Sequence, residues 1–126
     1  MNYKIMQEMP NVIVDKAFEF ALLIIAFAEK LESNRKYVVA NQLLKSGTSI
    51  GANVREAQNA ESKADFIHKM KIAAKEADET EYWLLLCQKS ENYPDSETLQ
   101  KEIKEIVRIL SKIISSSKSK TLTISN

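Results

Sequence analysis

The chain has only two glycines, and both stand in one helical stretch, four residues apart, at Gly47 and Gly51. A chain that places its glycines inside a helix has none left for tight turns. Its two prolines, Pro10 and Pro94, fall at helix boundaries. A sheet protein of 126 residues needs Gly, Pro and Asn-Gly turns in number. The expected fold class is therefore all-α: an antiparallel, up-down-up-down four-helix bundle. A mid-helix glycine costs about 1 kcal/mol relative to alanine, so each must be offset by something the helix gains. The stripe Ala40, Leu43, Gly47, Ile50, Gly51, Val54, Ala57 keeps its phase through both glycines. This predicts one continuous helix rather than a break at Ser46-Gly47-Thr48. Gly47 and Gly51 would then form a smooth groove for close backbone approach.

The rest of the chain divides around that helix. Helix 1 is expected over about Val14–Glu32, with two apolar faces: Phe18, Leu22, Ile25 and Glu29 trace one, and Phe20, Ile24, Phe27 and Leu31 the other. A helix apolar on two sides is buried on two sides, so one face looks to its own bundle and the other to a further partner. Helix 2 should span Arg35–Gln58, capped by Ser33 or Asn34. Helix 3 should span Lys63–Lys89, with Ser62 as N-cap, Asp65 favoured in the first turn, and a core stripe of Phe66, Met70, Ala73, Ala77, Thr80, Leu84 and Cys87. Asn92-Tyr93-Pro94-Asp95 makes a turn. Helix 4 should span Ser96–Ser115 on the seam Leu99, Ile103, Ile106, Leu110 and Ile113, widened by Val107 and Ile114. Residues 1–12 read as an N-terminal arm, 13–115 as the bundle, and 116–126, rich in Ser, Lys and Thr, as a disordered tail. Short connections make successive helices antiparallel.

Composition excludes several functions. A net charge of +1 supplies no global field for nucleic acid or membrane. The single cysteine, Cys87, rules out an intrachain disulfide and a cysteine metal cluster, and suits a reducing, cytoplasmic setting. The N-terminal residues lack the apolar core of a signal peptide, and the run Phe20–Ala28 is too short to cross a bilayer. No membrane partner is expected.

Catalytic constellations are equally scarce. A di-iron bundle needs two Glu-x-x-His motifs; here Asp65 and His68 have the spacing once, and His68 is the only histidine. No phosphate loop follows a strand. The sequence thus points to no catalytic set, metal, cofactor or small-molecule substrate. The carboxylates of interest are Asp65, Glu76 and Glu79, which share a face of helix 3 with Ile72, Trp83 and Leu86. A solvated face does not normally carry Trp and two aliphatic residues. An interface or polar network, with Asn53 and Arg55 as partners, explains it best, since buried carboxylates must be paired. A solvated face and a carboxylate catalytic site are the alternatives. Phe27 and Trp83 are the apolar residues expected at the contact. On helix 4, Lys101, Lys104, Arg108 and Lys112 fall within about 80° of one another. With Lys118 and Lys120 they form a basic strip for nucleic-acid contact, although Glu97 and Glu105 on the same side also suit a solvated face.

The segments Phe18-Glu19-Phe20-Ala21, Leu43 through Asn53 with Arg55-Glu56-Ala57, and Glu61 through Phe66 with Glu79 through Leu84 resemble the 23S rRNA intervening-sequence protein family, also called four-helix bundle proteins. The likeness covers about residues 13–115. It implies a four-helix bundle assembling into a barrel-like homopentamer, and kinship with the basic accessory protein of diversity-generating retroelements, which works with a reverse transcriptase and nucleic acid. Some genes of that family lie inside insertions in 23S rRNA genes, which suggests an RNA link. This chain departs from the accessory proteins in being nearly neutral. The expectation is a non-enzymatic, bacterial, cytoplasmic homo-oligomer, pentameric by resemblance, with RNA or a nucleoprotein as candidate partner. Its rivals are a protein-interaction scaffold without nucleic acid and an enzyme using Glu76 and Glu79.

Overall fold

The computed structural model describes residues 11–125, with side chains placed for 12–119. Among these residues there are four helices: α1 (Asn11–Ser33), α2 (Tyr37–Ala57), α3 (Lys63–Lys89) and α4 (Glu97–Ser125). Each packs on the next, and α1 closes on α4. Contacts run in opposite senses along each pair, so neighbours are antiparallel. Gly47 meets Ile24 while Gly51 meets Ala17; Ser46 pairs with Thr80 while Glu56 pairs with Lys69. Lys16 of α1 binds Glu105 of α4 at 3.0 Å. At one end of the bundle the Lys36 ammonium lies 4.9 Å from the ring centre of Tyr93, tying the first connection to the third.

The core is built from the stripes that the periodicity marks. Phe20, Ile24 and Leu31 of α1 meet Leu43, Ile50 and Val54 of α2, Phe66, Met70 and Leu84 of α3, and Ile103, Ile106 and Leu110 of α4, all fully buried. The expected seam of α4 is buried at Leu99 and half-buried at Ile113. α2 is continuous through both glycines, and the hydroxyls beside them do not compete with the helix. Thr48 Oγ1 donates to the Leu44 carbonyl and Ser49 Oγ to the Lys45 carbonyl, each at 2.6 Å. Inside the core, Thr80 donates to the Glu76 carbonyl at 2.8 Å and shares a 2.9 Å hydrogen bond with Ser46, so neither buried hydroxyl is unsatisfied.

Three boundaries differ from expectation. Ser33 and Asn34 do not cap α2; they end α1. Arg35 adopts the left-handed conformation (φ 62°), its N–H donates to Glu32 O, and the Lys36 N–H donates to Leu31 O. That pair of bonds is a Schellman closure with arginine where glycine is usual. α2 therefore starts at Tyr37, after Lys36, with no side-chain cap. α4 does not stop at Ser115. The segment beyond has no Gly or Pro to end it, and Ser117, buried, returns its hydroxyl to Ile113 O at 2.8 Å. Of the expected N-terminal arm, residues 1–10 lie outside the described residues, and Asn11 and Val12 already belong to α1.

α3 matches expectation at both ends. The Asp65 N–H donates to Ser62 Oγ at 3.0 Å, and Asp65 Oδ2 accepts from the Glu61 N–H at 3.3 Å. The first bond is the forward half of a capping box; the return bond goes one residue further back, to the N–H before the N-cap. Ser96 joins α3 to α4: its N–H donates to Gln88 Oε1 at 2.8 Å and its hydroxyl to the Leu84 carbonyl at 3.0 Å.

Candidate functional site

Two unlike surfaces flank α2. The first lies between α1 and α2. Gly47 and Gly51 draw these helices together, but they meet different neighbours. A Cβ on Gly51 would stand 3.5 Å from the Ala17 carbonyl oxygen, so here the approach is to backbone. A Cβ on Gly47 would stand 2.9 Å from both γ-carbons of Ile24, so here the approach is to a side chain. On the outer side of this contact lies an open groove of about 510 Å³, lined by Val14, Asp15, Phe18 and Ala21 of α1 and Thr48, Gly51, Ala52 and Arg55 of α2.

Along the α1 wall of that groove the second apolar face of α1 is uncovered: Phe18 is 57% exposed, Leu22 53% and Ile25 41%. Leu44 on α2 is exposed as well. A contiguous uncovered run of this kind marks an interaction surface. Phe27, expected at the contact, is instead buried in the subunit's own core. Both faces of α1 are apolar in sequence, and the core takes the one carrying Phe20, Ile24 and Phe27.

The second surface is the outer flank of α3 toward α2. Ile72, Glu76 and Trp83 are half-buried, and Glu79 and Leu86 are exposed. Trp83 stacks edge-on against Tyr82 with ring centres 6.1 Å apart. Asp65 sits at the N-terminal end of this flank but is engaged in the α3 cap. Asn53 faces this side of α2 and donates to the Ser49 carbonyl at 2.9 Å. Arg55 does not join it. Residues two positions apart on a helix differ by about 200°, so Arg55 points to the opposite flank from Asn53, into the α1–α2 groove. Within one subunit, and among the described residues, Arg55, Glu76 and Glu79 form no ion pair within 4.0 Å. The structure brings together Asn53 with the helix 3 flank, and Arg55 with Phe18, but not Arg55 with the carboxylates.

The basic strip is exposed. Lys101, Lys104, Arg108 and Lys112 all lie on the open side of α4. Lys104 shares a shallow groove with Asp78 and Glu81 of α3, which weakens its field. Farther along, Lys118 approaches Lys71; a hydrogen bond that only the neutral Lys71 amine can accept from Lys118, and then the like charge of Lys118, hold the Lys71 pKa below its usual value. The positive end of the strip is thus Arg108, Lys112 and Lys118 with Lys71 added from α3, a residue the helix 4 spacing alone does not reveal. His68 is exposed. Among the described residues no group of His, Cys, Asp and Glu is placed to hold a metal ion, and no helix is long and apolar enough to cross a membrane. Burial pushes the Cys87 thiol up to about 11.

The model of the 23S rRNA-intervening sequence protein family matches residues 10–114, nearly the whole bundle. The chain belongs to that family. Its bundle is also similar to the crystal structure, at 1.70 Å resolution, of a protein of unknown function from the S23 ribosomal protein family of Bacteroides thetaiotaomicron VPI-5482. The two share 46% sequence identity over 81% of this chain and 97% of that one, with a TM-score of 0.77. No curated protein matches the chain.

Proposed function

We propose that this chain is a non-catalytic subunit that assembles with copies of itself, and that the assembly contacts RNA through the basic strip of α4. The observation that carries the self-assembly is the uncovered apolar run Phe18, Leu22, Ile25 beside an open groove. Water-exposed area of this kind is costly to leave open and favourable to bury, at about 25 cal/mol per Å². A ring of five is the stoichiometry favoured by the family resemblance.

The RNA contact rests on Arg108, Lys112, Lys118 and Lys71 and on the family's association with 23S rRNA. One subunit's strip is modest against a net charge of +1. Repetition around an assembly sums such strips into one surface, and the field adds. A second reading, a protein-interaction scaffold without nucleic acid, is favoured by Asp78 and Glu81 beside Lys104 and by the exposed Glu97 on α4. Fluorescence anisotropy of structured RNA, single-stranded RNA and duplex DNA at low salt separates the two. Binding to RNA that weakens steeply with salt supports the first. No binding to any of the three at tens of micromolar protein leaves the scaffold.

A further inference from the structure

We infer that Lys71 of α3 and Lys118 of α4 form a two-helix clamp for a doubly charged phosphate, a phosphomonoester of the kind that ends an RNA strand. This deepens the RNA contact proposed above and takes its RNA source from that reading. Charge segregation marks the place. Residues 66–75 and 106–119 carry Lys69, Lys71, Lys75, Arg108, Lys112 and Lys118 and no Asp or Glu, in a chain whose 17 acidic residues nearly balance its 18 basic ones. The antiparallel register of α3 and α4 sets these two stretches side by side. Lys69 is paired with Glu56 at 3.1 Å on the α2 side. The other five form no ion pair within 4.0 Å among the described residues. Two turns before Lys71, Lys63 Nζ is buried with no hydrogen-bond partner. This end of the seam therefore holds an excess of positive charge, with no carboxylate in either stretch to offset it.

The pair converges for a geometric reason. Leu84 meets Ser96 near the α3–α4 turn, and Asp78 shares a groove with Lys104. Continued along the antiparallel pair, this register sets Lys71 level with a point on α4 about two turns, or about 10 Å, before Lys118. Helix side chains lean toward the N-terminus of their own helix. In an antiparallel pair those leanings oppose, so Lys71 and Lys118 lean toward each other. Their terminal nitrogens come within hydrogen-bonding range. Ser115, exposed and one turn before Lys118 on the same face, adds a hydroxyl donor.

Two amines this close repel each other when both are charged, unless an anion stands between them. A phosphomonoester carries about −1.5 to −2 at pH 7 and offers three acceptor oxygens. Each lysine can then donate to an oxygen, and both stay protonated. A backbone diester carries a single negative charge and leaves part of the pair's charge unopposed. Arg108 and Lys112 differ from the clamp: they stand one turn apart on the open side of α4. That spacing along one helix suits separate, singly charged phosphates of a strand. The strip thus divides into backbone contacts at Arg108 and Lys112 and an end-reading contact at Lys71 and Lys118.

The test is fluorescence anisotropy of one internally labelled RNA sequence, made with a 5′-phosphate, with a 3′-phosphate, or with hydroxyls at both ends. The full chain should bind at least one phosphorylated strand about tenfold tighter than the hydroxyl strand. Lys71→Gln and Lys118→Gln, both at exposed positions, should each remove that preference and change the hydroxyl strand's affinity far less. Arg108→Gln should weaken all three strands alike. Inorganic phosphate or a nucleoside monophosphate, added at constant ionic strength, should compete away only the extra affinity of the phosphorylated strand. Equal affinity for the three strands overturns the clamp and leaves the RNA contact standing. A preference that survives both lysine variants overturns its assignment to this pair. If no strand binds, calorimetric titration with inorganic phosphate and a nucleoside monophosphate decides. Binding that both lysine variants abolish keeps the clamp, with free phosphate as its source, and overturns the RNA reading. No binding of either overturns both.

Discussion

The two glycines of α2 look equivalent in sequence, but in the structure they are not, and the difference is measurable. Replacing either by alanine gains about 1 kcal/mol of helix propensity. At Gly51 the new methyl would sit 3.5–3.6 Å from the nearest atoms of Ala17, an ordinary contact. Gly51→Ala should therefore stabilise the protein by about 1 kcal/mol. At Gly47 the methyl would sit 2.9 Å from both γ-carbons of Ile24 and 3.3 Å from its β-carbon. Carbon pairs prefer about 3.5–4.0 Å, so roughly half an ångström or more must be found. A β-branched residue in a helix has essentially one good rotamer, so Ile24 cannot swing aside and the helices must part. Such overpacking costs about 1–3 kcal/mol. Net of propensity, Gly47→Ala should be neutral to about 2 kcal/mol destabilising. Because propensity cancels between the two variants, their difference isolates the overpacking. Urea unfolding followed by circular dichroism, at one fixed protomer concentration because assembly shifts apparent stability, gives it directly. Ile24→Ala should then cost less in the Gly47→Ala background than in the parent, a coupling of about 1–3 kcal/mol. A Gly47→Ala protein as stable as Gly51→Ala, or an Ile24→Ala cost that does not depend on residue 47, would refute the close-contact reasoning.

Further outcomes follow from other contacts. Arg35→Gly should stabilise the fold by about 1 kcal/mol, since a non-glycine residue in the left-handed region is strained there; an unchanged urea midpoint contradicts the Schellman assignment. Cys87 holds its proton to about 11 in the fold against an ordinary 9.0, so its contribution to stability is complete below pH 9 and is lost as pH rises toward 11; Cys87→Ala should remove that alkaline component, and the native thiol should react with a disulfide reagent far more slowly at pH 8 than the unfolded one. Phe27→Glu should unfold the subunit, in contrast to Phe18→Glu, because only Phe27 is buried; circular dichroism of the two side by side decides it. If each subunit of a pentamer makes one phosphate contact, log K against log salt should have a slope of about −3 to −5. Arg108→Glu with Lys112→Glu should abolish RNA binding and leave the thermal melt unchanged; retained binding places the contact elsewhere.

Much of the fold is legible in the residues because periodicity and capping act locally. The seam Leu99, Ile103, Ile106, Leu110 is buried as spaced, and Ser62 with Asp65 begins α3 at Lys63. The continuous path of α2 through Gly47 and Gly51 follows from the phase of its stripe. What is not legible depends on choices between near-equal alternatives. α1 offers two apolar faces of similar composition, and only packing against α2 and α4 decides that Phe27 goes in and Phe18 stays out. Arg35 closes α1 without the glycine that would signal it, so Ser33 and Asn34 look like caps of the next helix when they end the previous one. Arg55 and Asn53 are neighbours in sequence but face opposite flanks of α2, so a pairing of Arg55 with Glu76 or Glu79 cannot form inside one subunit. Lys71 joins the basic end of α4 only through the antiparallel register of α3 and α4.

The central claim is that the uncovered face of α1 belongs against another copy of the chain. Sedimentation velocity of the parent protein across a concentration series from about 1 to 100 micromolar tests it most directly, since specific interfaces of ordinary size bind in or below this range. The account predicts a discrete oligomer, with Phe18→Glu reduced to a folded monomer under the same conditions. A parent chain that sediments as a monomer throughout the series contradicts it.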